Sequence, residues 1–124
     1  MKKNSFLFVL IFLATILNVV ANPLPEKTLV SVVETDHYYE LRATYDERKN
    51  EALKKAINNS LQPDKLFGQS ITQYDAYIVL DDGTRFRLKF SDSKIVIKFS
   101  KKANSAASYE KMKKVFAAVK KVLK

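Results

Sequence analysis

The sequence predicts a two-layer α+β sandwich in which an antiparallel sheet of four or five strands packs against two helices on one of its faces. Two observations support this fold class. Apolar and charged residues alternate in strand fashion over 84–99, and a long amphipathic helix pattern follows over 105–123. Together with a β-rich N-terminal part and one further helix pattern, they predict the element order ββαβββα.

The chain opens with the pattern of a cleavable secretory signal peptide at 1–21. Two lysines supply the positive start, an apolar run covers 6–17, and small residues precede a cleavage point after Ala21. A retained membrane anchor is the alternative, but this run is shorter than the roughly 20 residues that span a bilayer. We therefore expect a secreted or periplasmic protein whose mature chain begins with an extended, Pro-containing lead-in at 22–27.

The remaining residues, 28–124, are enough for a single domain with one hydrophobic core. The chain contains 22 Lys and Arg against 13 Asp and Glu, which gives a formal charge of +9, and two of the lysines belong to the expected signal. It contains no cysteine, although an exported protein could form disulfides. The core alone must therefore stabilise a basic domain.

Two β-rich runs precede the first helix. Residues 28–34 are rich in β-branched side chains, and residues 37–44 alternate between apolar and polar after a polar break at Thr35 and Asp36. The two runs fit either the strands of a hairpin or one long bent strand. We favour the hairpin.

A capping box formed by Thr44 and Glu47 predicts a helix over 45–61 that ends before Pro63. Its apolar stripe is narrow and contains two alanines, which suggests close approach to a sheet. The stripe consists of Ala52, Leu53, Ala56, Ile57 and Leu61. The loop that follows carries three apolar residues that we expect to close the edge of the core: Leu66, Phe67 and Ile71.

Residues 76–99 are expected to form three strands joined by two tight turns. The first turn suits a three-residue loop at 81–83 with Gly83 in the left-handed conformation, which sends Ile78 into the core. A two-residue turn is the alternative and would send Tyr77 inward instead. We prefer the three-residue loop because it buries the larger aliphatic side chains.

The last helix is expected to run from a cap at Asn104 or Ser105 to Leu123. Its apolar arc lies opposite a set of lysines, which would also suit a helix lying on a membrane surface. We favour docking onto the sheet, because the apolar face of the three preceding strands needs a cover. The arc consists of Tyr109, Met112, Val115, Phe116, Val119, Val122 and Leu123.

The sheet face turned away from the helices is the candidate binding site. Alternation places five cations there beside Tyr77, namely Arg85, Arg87, Lys89, Lys94 and Lys98. At least one cation of the second strand must lie opposite a lysine of the third, and such like-charge pairs destabilise a sheet. A counter-charge is therefore needed, either from Glu34 or Glu40 of the first hairpin or from an anionic ligand.

The residue inventory argues against catalysis. The chain has one histidine and no cysteine, so a Cys–His pair is impossible, and no serine has a nucleophile-elbow context. Asp81 and Asp82 fit a turn better than a pair of catalytic carboxylates, and His37 fits the end of a strand. With two glycines and no cluster of metal-ligating residues, the sequence predicts no cofactor and no metal.

The sequence thus predicts a non-enzymatic binding module whose basic sheet face engages an anionic cell-surface polymer, lipid head groups or an acidic protein partner. Nucleic acid is the usual partner of a basic face with aromatic residues, but an exported protein seldom meets it. The alternative is a proteinaceous inhibitor or immunity-type protein that acts through loops such as 65–74.

Overall fold

The structure, a computed structural model, describes residues 27–67 and 73–124. Within these residues the chain forms β1 Leu29–Glu34, β2 Tyr38–Thr44, α1 Asn50–Ser60, β3 Tyr74–Val79, β4 Arg85–Ser91, β5 Lys94–Ser100 and α2 Ala106–Leu123. A 3-10 turn over Glu47–Lys49 leads into α1. The prediction of a two-layer α+β fold with the order ββαβββα is confirmed. The expected signal peptide, most of the lead-in and Ile71 lie outside the described residues.

The five strands form one antiparallel sheet in the order β1-β2-β5-β4-β3. The last strand in the chain therefore lies at the centre, between the hairpin of β1 and β2 and the hairpin of β3 and β4. Ile97 of this central strand lies opposite both Leu41 and Leu88. Because side chains alternate along a strand, such rows of apolar residues face the helices, and the charged residues between them face the other way.

The core lies between the sheet and the two helices. Phe116 of α2 stacks on Tyr39 of the sheet with ring centroids 4.3 Å apart. Ala52 is exposed, so the stripe of α1 is narrower than the sequence suggested. The prediction that the last helix covers the sheet is confirmed. The helices bury seven large side chains, each at most 1% exposed: Leu53, Ile57, Met112, Val115, Phe116, Val119 and Leu123.

The turn between β3 and β4 is the three-residue loop that the sequence favoured. The Leu80 N–H donates to the Thr84 carbonyl at 2.8 Å, and the Gly83 N–H donates to the Leu80 carbonyl at 2.9 Å. Gly83 has φ +89°, a left-handed conformation that residues with a Cβ rarely adopt. This loop sets the register that places Ile78 opposite Phe86 in the core.

The predicted capping box before α1 is wrong. Thr44 is the last residue of β2, and Asp46 caps the 3-10 turn by accepting the Arg48 N–H at 2.9 Å. The reason lies in a long-range contact. Tyr45 continues the inward alternation of β2, is fully buried, and donates its N–H to the Ser93 carbonyl at 3.0 Å. Sheet pairing therefore continues past the position where the local sequence suggested a helix start.

Ser105 caps α2, as one of the two predicted alternatives. Its hydroxyl accepts the Ser108 N–H at 3.1 Å. Asn104 has a different role, because its side-chain amide donates to the carbonyls of Arg85 and Ser100 at 3.0 and 2.7 Å and accepts the Arg85 N–H at 2.9 Å. Asn104 thereby joins the ends of β4 and β5 just before the helix begins.

Candidate binding face

The sheet surface that points away from the helices, called the outer face below, is not covered by another element among the described residues, although Val96 at its centre is only 8% exposed. Arg42 of β2 lies on it, as do Glu40 and Asp75, the two carboxylates that the described strands contribute. Cations therefore outnumber carboxylates on this face by six to two. The structure brings all six residues named from the sequence together here, each of them exposed: Tyr77, Arg85, Arg87, Lys89, Lys94 and Lys98.

Two of these cations face each other across neighbouring strands. Arg87 of β4 lies directly opposite Lys98 of β5. Side chains in this position have Cβ atoms about 5 Å apart, and a like-charge pair there costs up to about 1 kcal/mol. Arg87 also donates to the Asp75 carboxylate at 2.9 Å, but both side chains are more than half exposed, so solvent screens this ion pair.

Lys98 has only partial compensation from its other neighbour, β2. Glu40 lies opposite Lys98 in the register, yet its carboxylate accepts a hydrogen bond from the Arg42 guanidinium at 2.6 Å. The Lys98 ammonium group lies 4.4 Å from the ring centroid of Tyr38, which gives a cation–π contact. Glu40 thus lies opposite Lys98 in the sheet but forms its ion pair with Arg42.

Glu34, the other counter-charge that the sequence suggested, does not serve the outer face. It lies opposite Tyr39 on the helix-facing side of the sheet, where Lys101 and the Tyr109 hydroxyl donate to it at 2.8 and 2.6 Å. These hydrogen bonds lower the pKa of Glu34, and the same contact raises the pKa of Tyr109 to about 12. The carboxylate is therefore committed to tying β1 to α2.

Arg85, Lys89 and Lys94 form no ion pair with any carboxylate of the described residues. Arg85, Arg87 and Lys89 occupy alternate positions of β4, so they project at intervals of roughly 7 Å along one line. Lys89 and Lys94 also line a shallow depression of about 560 Å³ at one end of the sheet. The unpaired cations thus form an extended row and do not converge on one point.

Two exposed tyrosines accompany the cations. Tyr77 of β3 is 58% exposed and lies opposite Arg87, and Tyr38 of β2 is 45% exposed beneath Lys98. Tyr38 and Arg42 were not among the residues chosen from the sequence. Alternation along β2 places them on the outer face, but only the pairing of β2 with β5 shows that they adjoin the lysines.

The other candidate residues have structural roles or lie at turns. Asp81 sits in the exposed turn, and the neighbouring Asp82 accepts the Lys111 ammonium at 2.8 Å and the Thr84 N–H at 2.9 Å. These bonds lower the pKa of Asp82 to about 2 and anchor the turn to α2. Within the described residues, His37 lies in the turn before β2, and no group of three His, Cys, Asp or Glu residues is placed to hold a metal ion. None of the described helices is long and apolar enough to cross a membrane.

The loop invoked for an inhibitor lies partly outside the described residues, at 68–72. Phe67 is 2% exposed and contacts the Phe90 ring at a centroid distance of 5.0 Å. Tyr74 begins β3 and lies against Phe67. Phe67 therefore belongs to the core, and Tyr74 packs against the core.

The fold and the outer face define a small α+β domain with an open, basic sheet surface. Comparison of the chain with protein-family models, with curated protein sequences and with solved structures finds no significant match. The residues of this chain are therefore the guide to its function.

Proposed function

We propose that this protein is an exported, non-enzymatic binding module whose outer face engages an anionic polymer. The observation that supports this most directly is the opposed pair Arg87 and Lys98, flanked by cations that have no ion pair among the described residues. Folding brings these charges together although they repel each other. An anionic ligand bound between them would attract both cations and so offset their repulsion. The flanking cations are Arg85, Lys89 and Lys94.

An extended ligand fits the outer face better than a compact anion does. The cations are distributed along β4 and β5 at intervals of roughly 7 Å, so no single point is surrounded by several of them. A linear polyanion lying along the strands would meet these charges in succession. Tyr38 and Tyr77 offer apolar surface on either side of the row.

Because all these side chains are exposed, the attraction is mainly long-range and electrostatic. The Debye length is about 10 Å at 0.1 M salt, so binding should weaken steeply as salt is added. Net charge alone predicts the same trend, since the whole chain is basic. The test must therefore separate the outer face from total charge.

Two triple variants make this separation. Lys89→Ser, Lys94→Ser and Lys98→Ser remove three charges from the outer face. Lys114→Ser, Lys120→Ser and Lys121→Ser remove three charges from exposed positions of α2 on the opposite layer. With dextran sulfate as the probe at low salt, we expect the outer-face variant to lose at least tenfold in affinity and the α2 variant to lose less than threefold, a difference of at least about 0.7 kcal/mol in binding free energy.

Equal losses in the two variants would show that net charge, and not the outer face, governs binding, and would contradict the proposal. Undiminished binding by the outer-face variant would contradict it as well. Polyglutamate and phosphatidylglycerol vesicles serve as parallel probes, because an acidic protein or a lipid surface presents the same sign of charge. Binding to either of these with no binding to dextran sulfate would replace the polymer by that partner.

The exported location has its own test. When the whole 124-residue chain is expressed in a bacterium with a functional secretion pathway, we expect the protein outside the cytoplasm. Mass spectrometry should find that its N-terminus is Asn22. Protein that stays in the cytoplasm with Met1 in place would contradict export. It would not bear on the proposal that the outer face binds an anion.

A further inference from the structure

Strand β1 differs from the other strands because, among the described residues, no other element covers either of its faces. All six of its residues are exposed, including those that face the helix layer. Four of them are large aliphatic residues, with exposures of 57% for Leu29, 39% for Val30, 37% for Val32 and 54% for Val33. Charged side chains usually protect an edge strand from pairing with another chain, and β1 has none before Glu34.

Within the part of the chain that the structure describes, no strand pairs with the outer edge of β1. In the turn to β2, the Thr35 N–H donates to the Tyr38 carbonyl at 2.8 Å, which makes these two residues a hydrogen-bonded pair. Hydrogen-bonded and non-hydrogen-bonded pairs alternate along an antiparallel ladder. The N–H and C=O groups of Val30, Val32 and Glu34 therefore point away from β2, toward the open edge.

We infer that β1 pairs with β1 of a second copy of this chain, antiparallel and with Ser31 opposite the partner's Ser31. This register joins the free backbone groups of Val30 to those of the partner's Val32. It also places Leu29 opposite the partner's Val33 on the outer face. By symmetry each contact occurs twice, so four apolar cross-strand pairs form.

Two neighbouring registers would also pair the free backbone groups, but each of them forms far fewer apolar cross-strand pairs. One centres on Val32, leaves a single apolar pair, and sets the Glu34 carboxylate against the partner's Val30. The other centres on Val30 and sets Thr28 against the partner's Val32, again with a single apolar pair. The aliphatic pattern of β1 is therefore complementary to itself in one register.

The opposite edge of the sheet is not suited to the same pairing. The turn bond between Leu80 and Thr84 sets the alternation in β3, so the backbone groups of Asp75, Tyr77 and Val79 point outward there. Pairing two copies about Tyr77 would set the Asp75 carboxylate against the partner's Val79. This charge near the start of β3 protects that edge, whereas β1 has no such charge before its last residue.

The pairing would produce a continuous ten-stranded sheet from the five strands of each copy. A two-fold axis perpendicular to the sheet puts both helix layers on one side and both outer faces on the other. The inference depends only on β1 and stands independently of anion binding. If both hold, two basic faces reach one polymer together, and the second contact forms at a high effective concentration.

Single cysteines test the register, because the chain contains no cysteine of its own. In the proposed dimer, Ser31 and the partner's Ser31 form a non-hydrogen-bonded pair with Cα atoms about 4.5 Å apart, within the range of a disulfide. Val33 and the partner's Val33 are separated by about 13 Å along the strands, which is too far. The whole chain is expressed, and the protein is purified with any processing by the cell left as it is. The purified protein is then oxidised.

We expect Ser31→Cys to migrate almost entirely as a covalent dimer on a non-reducing gel, and Val33→Cys to remain a monomer. Sedimentation equilibrium of the unchanged protein should give twice the protomer mass. Val32→Pro removes an N–H that points to the open edge and is not used by β2, so it should give a folded monomer with an unchanged circular dichroism spectrum.

A protomer mass at every concentration, with no crosslinking of Ser31→Cys, would overturn the inference. Equal crosslinking of the two cysteine variants would overturn the register. A dimer that persists in the Val32→Pro variant would show that another surface joins the copies, and would overturn the assignment to β1.

Discussion

Arg87 and Lys98 lie directly opposite each other on the outer face, on two strands whose inward side chains Leu88 and Ile97 are opposed in the core. The same register that closes the apolar layer thus forces two positive charges together on the other side. Because side chains alternate strictly along each strand, a register that sets Leu88 opposite Ile97 in the core also sets Arg87 opposite Lys98 on the outer face. The repulsion on the outer face is a consequence of a well-packed core.

The coupling between these two charges is measurable. In a cycle of Arg87→Met, Lys98→Met and the double variant, we expect a repulsive coupling energy of a few tenths to about 1 kcal/mol at low salt. It should shrink at high salt because both groups are exposed. Urea unfolding of the four proteins gives the value. An attractive coupling, or none at low salt, would mean that Asp75 and Glu40 already neutralise the pair.

Thr84 is a second position where the structure makes a definite prediction. Its side chain is fully buried, and its hydroxyl is 2.7 Å from that of Ser108 in α2. Thr84→Val removes this bond between the sheet and the helix at constant volume, so we expect the free energy of unfolding to fall by about 1–3 kcal/mol. The same change at exposed Thr44 should alter it by less than about 0.5 kcal/mol. Equal effects in urea unfolding would contradict the role of the buried bond.

Phe67 distinguishes a core residue from a binding loop. Because it is 2% exposed and packs on Phe90, we expect Phe67→Ala to lower the free energy of unfolding by about 3–5 kcal/mol. Tyr77→Ala, at a position that is 58% exposed, should change it by less than about 0.5 kcal/mol. Thermal or urea unfolding measures both. A Phe67→Ala protein as stable as the original would restore this loop as a candidate contact surface.

The bond between Asp82 and Lys111 predicts a dependence of stability on acid pH. The folded protein holds the pKa of Asp82 at about 2, below the usual 3.8. Since the folded state favours the ionised carboxylate, the stabilisation is complete above the ordinary pKa and is lost as the pH falls from about 4 to about 2. The Asp82 side chain is 49% exposed, so screening limits the contribution to at most about 1 kcal/mol.

Asp82→Asn checks this sign. The variant should be less stable than the original protein at neutral pH, and the difference should shrink as the pH falls toward 2 and vanish below it, where both side chains are uncharged. Asp36→Asn, at a turn aspartate that forms no ion pair with the described residues, should change little at either pH. A difference that persists unchanged at low pH would show that the carboxylate charge is not its source.

Several elements followed directly from short stretches of sequence. The three-residue loop at 81–83 could be predicted because Gly83 suits a left-handed turn and because one choice of loop buries Ile78. The arc of α2 could be predicted because helical spacing shows within the helix itself which side is apolar. The start of α1 could not be predicted, because the Tyr45 N–H bonds to the Ser93 carbonyl and so extends the sheet pairing. The residues near Tyr45 in the sequence give no sign of this long-range contact.

For the candidate binding face, alternation along single strands was enough to identify the five cations and Tyr77. It could not show that Asp75 pairs with Arg87, or that Tyr38 lies beneath Lys98. It also left Glu34 as a possible counter-charge, although the hydrogen bond with Tyr109 holds it on the other side of the sheet. Each of these facts depends on which strands are neighbours.

Side-chain periodicity was therefore sufficient for the type of each main element, for the inward and outward sides of each strand, and for the presence of a cationic surface, because all of these are properties of adjacent residues. Three features came from the assembled molecule: the position of β5 between β2 and β4, the opposition of Arg87 to Lys98, and the exposure of all six residues of β1. Hydrogen bonding between distant strands is nearly indifferent to side-chain identity. The choice among possible strand orders therefore falls to the packing of the whole core, which no single segment of the chain can express.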